Sequence, residues 1–487
     1  MTFHANSEFK ILILGLGSYP QGTGVSAALY FAKRGFEVLV ADQKTAQEVA
    51  DNVKQLKKFK KVKFHLGGWR IEDADWADLV IKNPGVRRNN EVLKHALKLN
   101  KPVENDVSIF LRQAPCLVIG VTGTRGKSTT TDWIGDMLKR SGIKTYVGGN
   151  ITVSPLTFLD KLKKKDVAVI ELSSWLLETS GANGLSPKMA VWTNVMSDHL
   201  NTYDGLDDYA EAKAQIMRHQ KPKDIFVANL DDSYVGAYAQ EAAARVLGFS
   251  KKKKKASTAF VSGGWLTVEF KGKKLNLLKT EEIGIKGEHN VMNALAAATA
   301  SFAAGAKVSA VRESLENFKG MPYRQEIVGI KNGVTFVNDT TSTTPDAAIA
   351  ALNAFASHKS SVISCQSGRR RTLRTLKDAG IVHWICGGAD KGLDSSKMIK
   401  LASKKNLTIH LLIGTAFEKL QKTFKSNGLK PQKATSLKQA FDQAVKIAKP
   451  GDVVLLSPAC ASFGLFKNEF DRGDQFNSLV LAWKRGA

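Results

Sequence analysis

Short apolar runs alternate with longer stretches of helical spacing along this chain, and most of the runs end at glycine, asparagine or an acid. In the first segment Ile11–Leu14 reads as a buried strand that enters the turn Gly15-Leu16-Gly17. A helical pattern from about Gly24 to Arg34 follows, then a second strand over Glu37–Ala41 that stops at Asp42. A third strand, Leu79–Ile81, leads into the tight turn Asn83-Pro84-Gly85-Val86. This is the βαβ opening of a Rossmann-like unit, although Ser18–Gly24 is too long a turn for a dinucleotide fingerprint. The second segment begins near Pro115 with a strand over Cys116–Val121 and a helix over Lys127–Arg140. Strands at Val167–Ile170, Met189–Thr193 and Ile225–Ala228 alternate with helical stretches there. The third segment carries runs at Val334–Val337, Ser361–Ser364, His383–Cys386, Thr408–Ile413 and Val453–Leu456. Alternation of this kind predicts parallel sheets covered by helices. The expected class is α/β in three domains: a Rossmann-like unit over 1–113, a central P-loop ATPase-type parallel sheet over 114–322, and a Rossmann-like C-terminal unit over 323–487.

The stretch with the most chemistry in it is Val121-Thr-Gly-Thr-Arg-Gly-Lys-Ser-Thr129, between the second segment's first strand and first helix. A glycine turn at that junction aims backbone N–H groups and the positive end of a helix dipole at one spot. Lys127 adds a cation, and the Ser128 hydroxyl is placed to ligate a magnesium ion that bridges phosphates. The full P-loop pattern has glycine where this chain has Val121. A helix merely capped by Thr124 or Ser128 is the plainer alternative, and it leaves Gly123, Gly126 and Lys127 without a reason.

Composition narrows the surroundings. The chain has 487 residues, 43% of them hydrophobic, enough for about three domains of ordinary size. Met1–Glu8 is polar and no apolar run is long enough to cross a bilayer, so neither a signal peptide nor a membrane span is expected. Cys116, Cys365, Cys386 and Cys460 form no CxxC pair, which points away from zinc and disulfides and toward a reducing cytoplasm. A net charge of +26 invites a nucleic-acid partner. The lysines are spread over Lys54–Lys63, Lys161–Lys165, Lys251–Lys255 and Lys397–Lys405 without interleaved aromatics, so solvated surface is the preferred reading and no nucleic acid is expected.

Several polar residues follow strand ends, where open α/β sheets bind ligands. Glu171 follows Val167–Ile170, and Asn194 with Asp198-His199 follows the next strand. Asn338-Asp339-Thr340-Thr341 and Ser457-Pro-Ala-Cys-Ala-Ser462 do the same in the third segment. Lys213 sits in a helical pattern that starts near Asp207, and pattern alone puts it on the surface.

Taken in order, these motifs resemble those of the Mur ligases. The matching residues are Thr122–Thr129, Gly149-Asn150-Ile151, Glu171-Leu-Ser-Ser174, Asn194–His199 with Tyr203, Gly287–Ala294, Tyr323-Arg324, Asn338-Asp339, Gly387–Lys391, Ser457–Phe463 and Phe466-Lys-Asn468. The family shares the shorter Thr-Gly-Thr-x-Gly-Lys loop, so the missing glycine fits the resemblance. Gly387–Lys391, Ser457–Asn468 and the Asn83–Gly85 turn favour the D-glutamate-adding branch. The resemblance implies ATP-driven amide formation through an acyl phosphate, with ATP, UDP-N-acetylmuramoyl-L-alanine and D-glutamate as substrates and a monomer as the working unit. It also implies two magnesium ions, one held by Ser128 and Glu171 and the other by His199 and Lys213, with Lys213 carbamylated by CO₂. The surface reading of Lys213 is reversed by this. Lys127, Glu171, His199 and Lys213 would then be the catalytic set. ATP would meet Gly123, Thr124, Arg125, Gly126, Lys127, Ser128, Thr129, Asn290, Asn293, Arg324 and Asp339. The UDP-sugar would lie near Thr23, Gly24, Asp42, Asn83, Pro84, Gly85, Asn150 and His199, and D-glutamate near Thr343, Lys391, Ser462 and Phe463. Closure of the third domain is expected, because these sets fall on different domains.

Three features depart from the family pattern. Thr341 stands at a usual lysine, Glu469 at a frequent aromatic, and the stretch Ala356–Val382 with Arg369–Arg371 is long. The alternatives are a sibling ligase or a folylpolyglutamate synthase-like enzyme adding another amino acid and, from a different class, a basic P-loop ATPase acting on nucleic acid.

Overall fold

A computed structural model of the chain describes residues 9–150, 153–198, 202–270, 272–285, 287–356 and 380–485, with the backbone alone at 361–363 and 373–375. The chain divides into two compact units, one running to Gly284 and including Glu288–Phe318, the other running from Lys319 onward with Ile285–Gly287.

The first unit holds two sheets. Strands β1 (Lys10–Leu14), β2 (Glu37–Asp42), β3 (Val62–Leu66), β4 (Leu79–Lys82) and β5 (Val103–Glu104) form a parallel sheet in the order β3-β2-β1-β4-β5. Ile11, Ile13, Val38, Val40 and Ile81 face one apolar cluster, and Leu12, Leu14, Leu39 and Val80 face another, as the period of two requires for a sheet covered on both sides. The nine-stranded second sheet contains β6 (Leu117–Thr122), β7 (Thr145–Gly149), β8 (Val167–Glu171), β9 (Met189–Trp192), β10 (Ile225–Asn229), β11 (Arg245–Ser250), β12 (Ser257–Ser262), β13 (Trp265–Phe270) and β14 (Lys273–Lys279). Its order is β14-β13-β12-β11-β10-β9-β6-β8-β7, parallel from β7 to β12 and antiparallel through β13 and β14. The antiparallel extension is an addition to the expected parallel sheet, and its first turn is Gly263-Gly264, both at positive φ. The two sheets share one core: Phe31, Phe110, Phe158 and Trp192 belong to a single buried cluster. Asn105 Nδ2 donates to Leu176 O at 2.9 Å and Asn183 Nδ2 to Val103 O at 2.8 Å, tying helix Ser174–Ala182 to the end of the first sheet.

The second unit is built on a six-stranded sheet, β15 (Glu326–Lys331), β16 (Val334–Asn338), β19 (Val382–Gly387), β20 (Leu407–Leu412), β21 (Gln432–Ala434) and β22 (Val453–Leu456), in the order β15-β16-β22-β19-β20-β21. All pairs are parallel except the β15–β16 hairpin, whose Asn332-Gly333 turn has both residues at positive φ. The run expected as a strand at Ser361–Ser364 gives β17 (Ser361–Ile363), which pairs with β18 (Leu373–Thr375) in a separate ribbon rather than in this sheet. The expected positions Arg369–Arg371 and Cys365 lie outside the described residues. Lys251–Lys255 forms an exposed connection between β11 and β12, as the charge run suggested. Among the described residues no helix is long and apolar enough to cross a membrane.

Candidate active site

Helix Lys127–Arg140 begins after Gly126, whose φ of +81° serves as the N-cap with no side-chain cap, so neither Thr124 nor Ser128 plays the capping role of the plainer alternative. Both loop glycines are sterically required. A Cβ on Gly123 (φ +147°) would stand 1.9 Å from Thr193 Oγ1, and one on Gly126 would stand 2.2 Å from Asn293 Oδ1. The loop is fastened to the end of β9. Asn194 Oδ1 accepts from Arg125 N at 2.8 Å and its Nδ2 donates to Arg125 O at 3.1 Å. Thr193 Oγ1 donates to the same carbonyl at 2.7 Å, and Thr124 N donates to Asn194 O at 2.9 Å. Thr124 Oγ1 in turn accepts from Met196 N at 2.9 Å.

Two ammonium groups meet inside this loop. Lys127 Nζ donates to Gly123 O at 2.8 Å and Thr124 O at 3.0 Å, while Lys213 Nζ donates to Gly123 O at 3.2 Å. Lys213 comes from helix Leu206–Ala214 and is 1% exposed. It lies 4.2 Å from the Tyr209 ring centre. Burial drives its pKa well down, Lys127 pushes it further, and Asp198 and Glu171 oppose the shift. The surface position that helical spacing alone assigns to Lys213 is therefore wrong. Spacing reports which face a residue lies on, and this face is covered by the phosphate-type loop.

Glu171 closes β8, 2% exposed. Its Oε1 accepts from Asn150 Nδ2 at 3.2 Å, and its Oε2 is buried with no partner among the described residues. Ser128, 6% exposed, has no hydrogen bond to its hydroxyl among the described residues. An unpaired buried carboxylate oxygen and an unpaired hydroxyl are the hard oxygen donors that a magnesium ion takes, so these residues fit the implied ion. Thr129 sits one turn-position further on and is half-buried. Asn290 and Asn293 lie in helix Glu288–Ala303, joined by an Asn293 Nδ2 to Asn290 Oδ1 bond at 3.1 Å. His199 and Ile151 lie outside the described residues.

Of the residues expected around the UDP-sugar, Thr23, Gly24, Asp42 and Asn83–Gly85 lie at the carboxyl ends of β1, β2 and β4, whereas Asn150 follows β7 in the second sheet. A Cβ on Gly24 would stand 2.1 Å from Gly15 O, so only glycine lets the helix start this close to the strand. Asp42 Oδ2 accepts from Leu16 N at 2.7 Å and Gly17 N at 3.0 Å. Thr23 Oγ1 donates to Asp106 Oδ2 at 3.1 Å. Asn83 Oδ1 accepts from Gly85 N at 3.0 Å, which forms the turn through Pro84.

In the second unit, Lys391 Nζ donates to Thr343 Oγ1 at 3.0 Å. The loops that carry Lys391 and Ser462 are paired by an antiparallel bridge between Ala389 and Ala461. Ser462 is 3% exposed and Phe463 is 68% exposed. Ala459 in that loop is held at φ +59°, a strained conformation for a residue with a Cβ. Asp339 is buried, accepts from Gln325 N at 3.1 Å and from Ser457 Oγ at 2.9 Å, and is pushed up to about 7 by burial. Arg324 is exposed and favours the ionised form of that carboxyl. Thr341 Oγ1 donates to Tyr323 O at 2.9 Å, so the residue at the usual lysine position braces its own loop.

Thr193, Asp106 and Lys82 carry no signal of their own in the sequence, whereas Asn194 is marked by its place after a strand and Thr23 by the resemblance.

Sequence profiles match nearly the whole chain. The one described as Mur ligase MurD-like, N-terminal domain, matches residues 9–104, Mur ligase middle domain matches 121–301, and Mur ligase, glutamate ligase domain, matches 323–460. The UDP-N-acetylmuramoylalanine--D-glutamate ligase of Roseiflexus sp. (strain RS-1) is 34% identical, with 97% of this chain and 98% of that protein covered. The protein of the same name from Pelotomaculum thermopropionicum is 32% identical over 98% of each. Among solved structures, the UDP-N-acetylmuramate-alanine ligase MurC from Thermotoga maritima superposes with a TM-score of 0.60 at 20% identity, covering 98% of this chain and 100% of that one, a likeness of fold. Three profiles in the order of three sheets, and relatives that match from end to end, make this chain a member of the Mur ligase family.

Proposed function

We propose that this chain is the ATP-dependent ligase that joins D-glutamate to UDP-N-acetylmuramoyl-L-alanine, a step of peptidoglycan precursor synthesis. The observation that carries the reading is the pair of ammonium groups, Lys127 and Lys213, on the carbonyl of Gly123 beside the unpaired oxygen of Glu171. The full-length relatives named as D-glutamate ligases favour that amino acid over those of the sibling enzymes and over the nucleic-acid ATPase.

The chemistry follows from charge. The alanyl carboxylate attacks the γ-phosphorus of ATP, the bond to the bridging oxygen breaks, and ADP leaves with that electron pair. Two anions must approach each other, so Lys127 neutralises the triphosphate and holds it in line. The D-glutamate amine then attacks the acyl carbon, and phosphate leaves where oxide could not. Ser128 and Glu171 would hold one magnesium ion, with His199 and Lys213 at a second, and these ions supply further charge neutralisation. Burial lowers the pKa of Lys213, which makes loss of its proton easier and frees a lone pair to attack CO₂; the N–C bond then forms, one oxygen takes the electron pair, and a further amine proton leaves. The resulting carbamate would turn a cation into an oxygen ligand. Lys391, Thr343, Ser462 and Phe463 would receive D-glutamate, with Lys391 facing a carboxylate. ATP would be completed by Asn290, Asn293, Arg324 and Asp339. The three described cysteines are buried free thiols, which suits a cytoplasmic enzyme, and a monomer is the proposed working unit.

The test is phosphate release. It is expected only when ATP, UDP-N-acetylmuramoyl-L-alanine and D-glutamate are all present. Release that depends on L-lysine or diaminopimelate instead would move the chain to a sibling activity, and stimulation by DNA or RNA without the sugar nucleotide would overturn the reading.

A further inference from the structure

A second cluster of cations lies away from the phosphate-type loop. Strand β4 ends at Lys82, which is 5% exposed and has no hydrogen bond or ion pair among the described residues. It lines a cavity of about 210 Å³ together with Pro84, Arg87, Arg88, Trp175 and Glu178. Glu178 is the single acid in that lining, and its Oε1 already accepts from Arg88 Nε at 3.1 Å and Nη2 at 2.6 Å. Arg88 is also paired with Asp208, Nη1 to Oδ2 at 3.0 Å, so its charge is met, and Lys82 and Arg87 are the cations of the lining with no carboxylate bonded to them among the described residues. A buried ammonium without a partner is costly, and an anion in the cavity removes the cost.

The position is that of a ligand site. The order β3-β2-β1-β4-β5 sends the chain to opposite sides of β1, so the crevice between the carboxyl ends of β1 and β4 is a topological switch point. On its β1 side, the amides of Leu16 and Gly17 are occupied by the carboxylate of Asp42. An incoming anion must find its counter-charge elsewhere, and Lys82 stands at the β4 side of the same crevice. Burial lowers the pKa of Lys82 while Glu178 opposes the change, as expected of a cation short of counter-charge.

We propose that Lys82, backed by Arg87, forms an oxyanion subsite that fixes one negatively charged group of the UDP-sugar, with Trp175 as the cavity's flat wall. The inference rests on the proposed reading of the UDP-sugar as substrate. Two groups of that molecule share the chemistry, its diphosphate and its alanyl carboxylate.

Calorimetric titration of the full chain separates them, using UDP-N-acetylmuramoyl-L-alanine and UDP against the wild type and K82M. K82M is expected to weaken the full substrate about tenfold to a hundredfold, the range of one lost charge-assisted hydrogen bond. Its thermal midpoint should hold or rise, because a buried charge gives way to an apolar chain of similar length. Parallel weakening of UDP assigns the diphosphate, and weakening of the full substrate alone assigns the carboxylate. Unchanged affinity for both overturns the subsite while leaving the substrate reading intact. A wild type that binds neither molecule sinks the substrate reading, and the subsite with it. Should K82M lose stability, K82R decides: recovered affinity supports the charge, and affinity as poor as that of K82M overturns it.

Discussion

The junctions that follow β1 and β6 share a form, strand to glycine turn to helix, and differ in the charge placed against them. At the first, Asp42 accepts two amides of the turn, and Asp106 accepts the hydroxyl of Thr23 where the helix begins. At the second the amides of Thr124 and Arg125 donate to Asn194 rather than to a carboxylate, and two lysines donate to the loop's carbonyls. Backbone shape alone would make both into anion sites. The side chains decide otherwise: the β6 loop carries cations, as the triphosphate cradle proposed for it needs, while the β1 turn carries its own anion.

The largest effect should come from the cradle's cation. K127M is expected to lower kcat about 10²–10³-fold, the usual result of removing one group that stabilises developing charge. Phosphate release at saturating substrates measures it. A loss under about threefold would mean that the loop's shape matters more than its charge, and the contrast between the junctions would fail. Next comes shape itself. G126A forces a Cβ into φ +81° and against Asn293, and should cost about 1–3 kcal/mol along with most of the ATP affinity. Thermal denaturation with and without ATP reads both.

Two buried titratable groups give opposite pH signatures. Lys213 is held well below its ordinary 10.5, so between the folded and unfolded values the unfolded chain binds the extra proton. Its burial lowers stability at neutral pH, and the loss fades as pH rises toward 10.5. In CO₂-free buffer K213M should therefore melt higher than the wild type at pH 7, by a margin that shrinks under alkaline conditions. A constant margin would show that the amine is not the cause. Asp339 runs the other way, from 3.8 unfolded to about 7 folded. Its contribution is full below 3.8 and is lost as pH rises through about 7. The wild type's stability should fall between about pH 4 and pH 7 and level off above that, and D339N should flatten that slope.

Much of this was readable from residue order. The helix over Lys127–Arg140 begins and ends where the pattern put it, because glycine at one end and a polar apolar-periodic face leave little choice. Strand β3 was hidden, since Val62-Lys-Phe-His-Leu66 alternates inside a lysine-rich stretch whose charge masked the period of two. Two of the hairpins carry turn signals, Gly263-Gly264 and Asn332-Gly333, but each is a short exception within a pattern dominated by βαβ alternation. The site split along similar lines. Glu171 was found because it ends a strand, whereas the burial of Lys213 and Lys82 depends on which distant segments cover them, and no local spacing records that.

The smallest effect bears most directly on the comparison. Asp42 Oδ1 also accepts from Lys44 N at 2.9 Å, so its carboxylate serves two amides of the first junction and one just after β2. D42N keeps one acceptor oxygen and turns the other into a donor, so either the Leu16–Gly17 pair or the Lys44 bond is lost. If the acid is the turn's own anion, the cost falls on folding, about 1–2 kcal/mol, and affinity for the UDP-sugar shifts less than about threefold. If the carboxylate instead serves mainly to hold a ribose, as the second-strand acid of a Rossmann unit can, affinity should fall about tenfold or more with the melting temperature unmoved. Paired melting and calorimetry on D42N tell these apart. The second outcome would give both junctions a ligand-directed acid–base logic and remove the contrast, whereas the first leaves Lys82 as the cation that the β1 crevice requires.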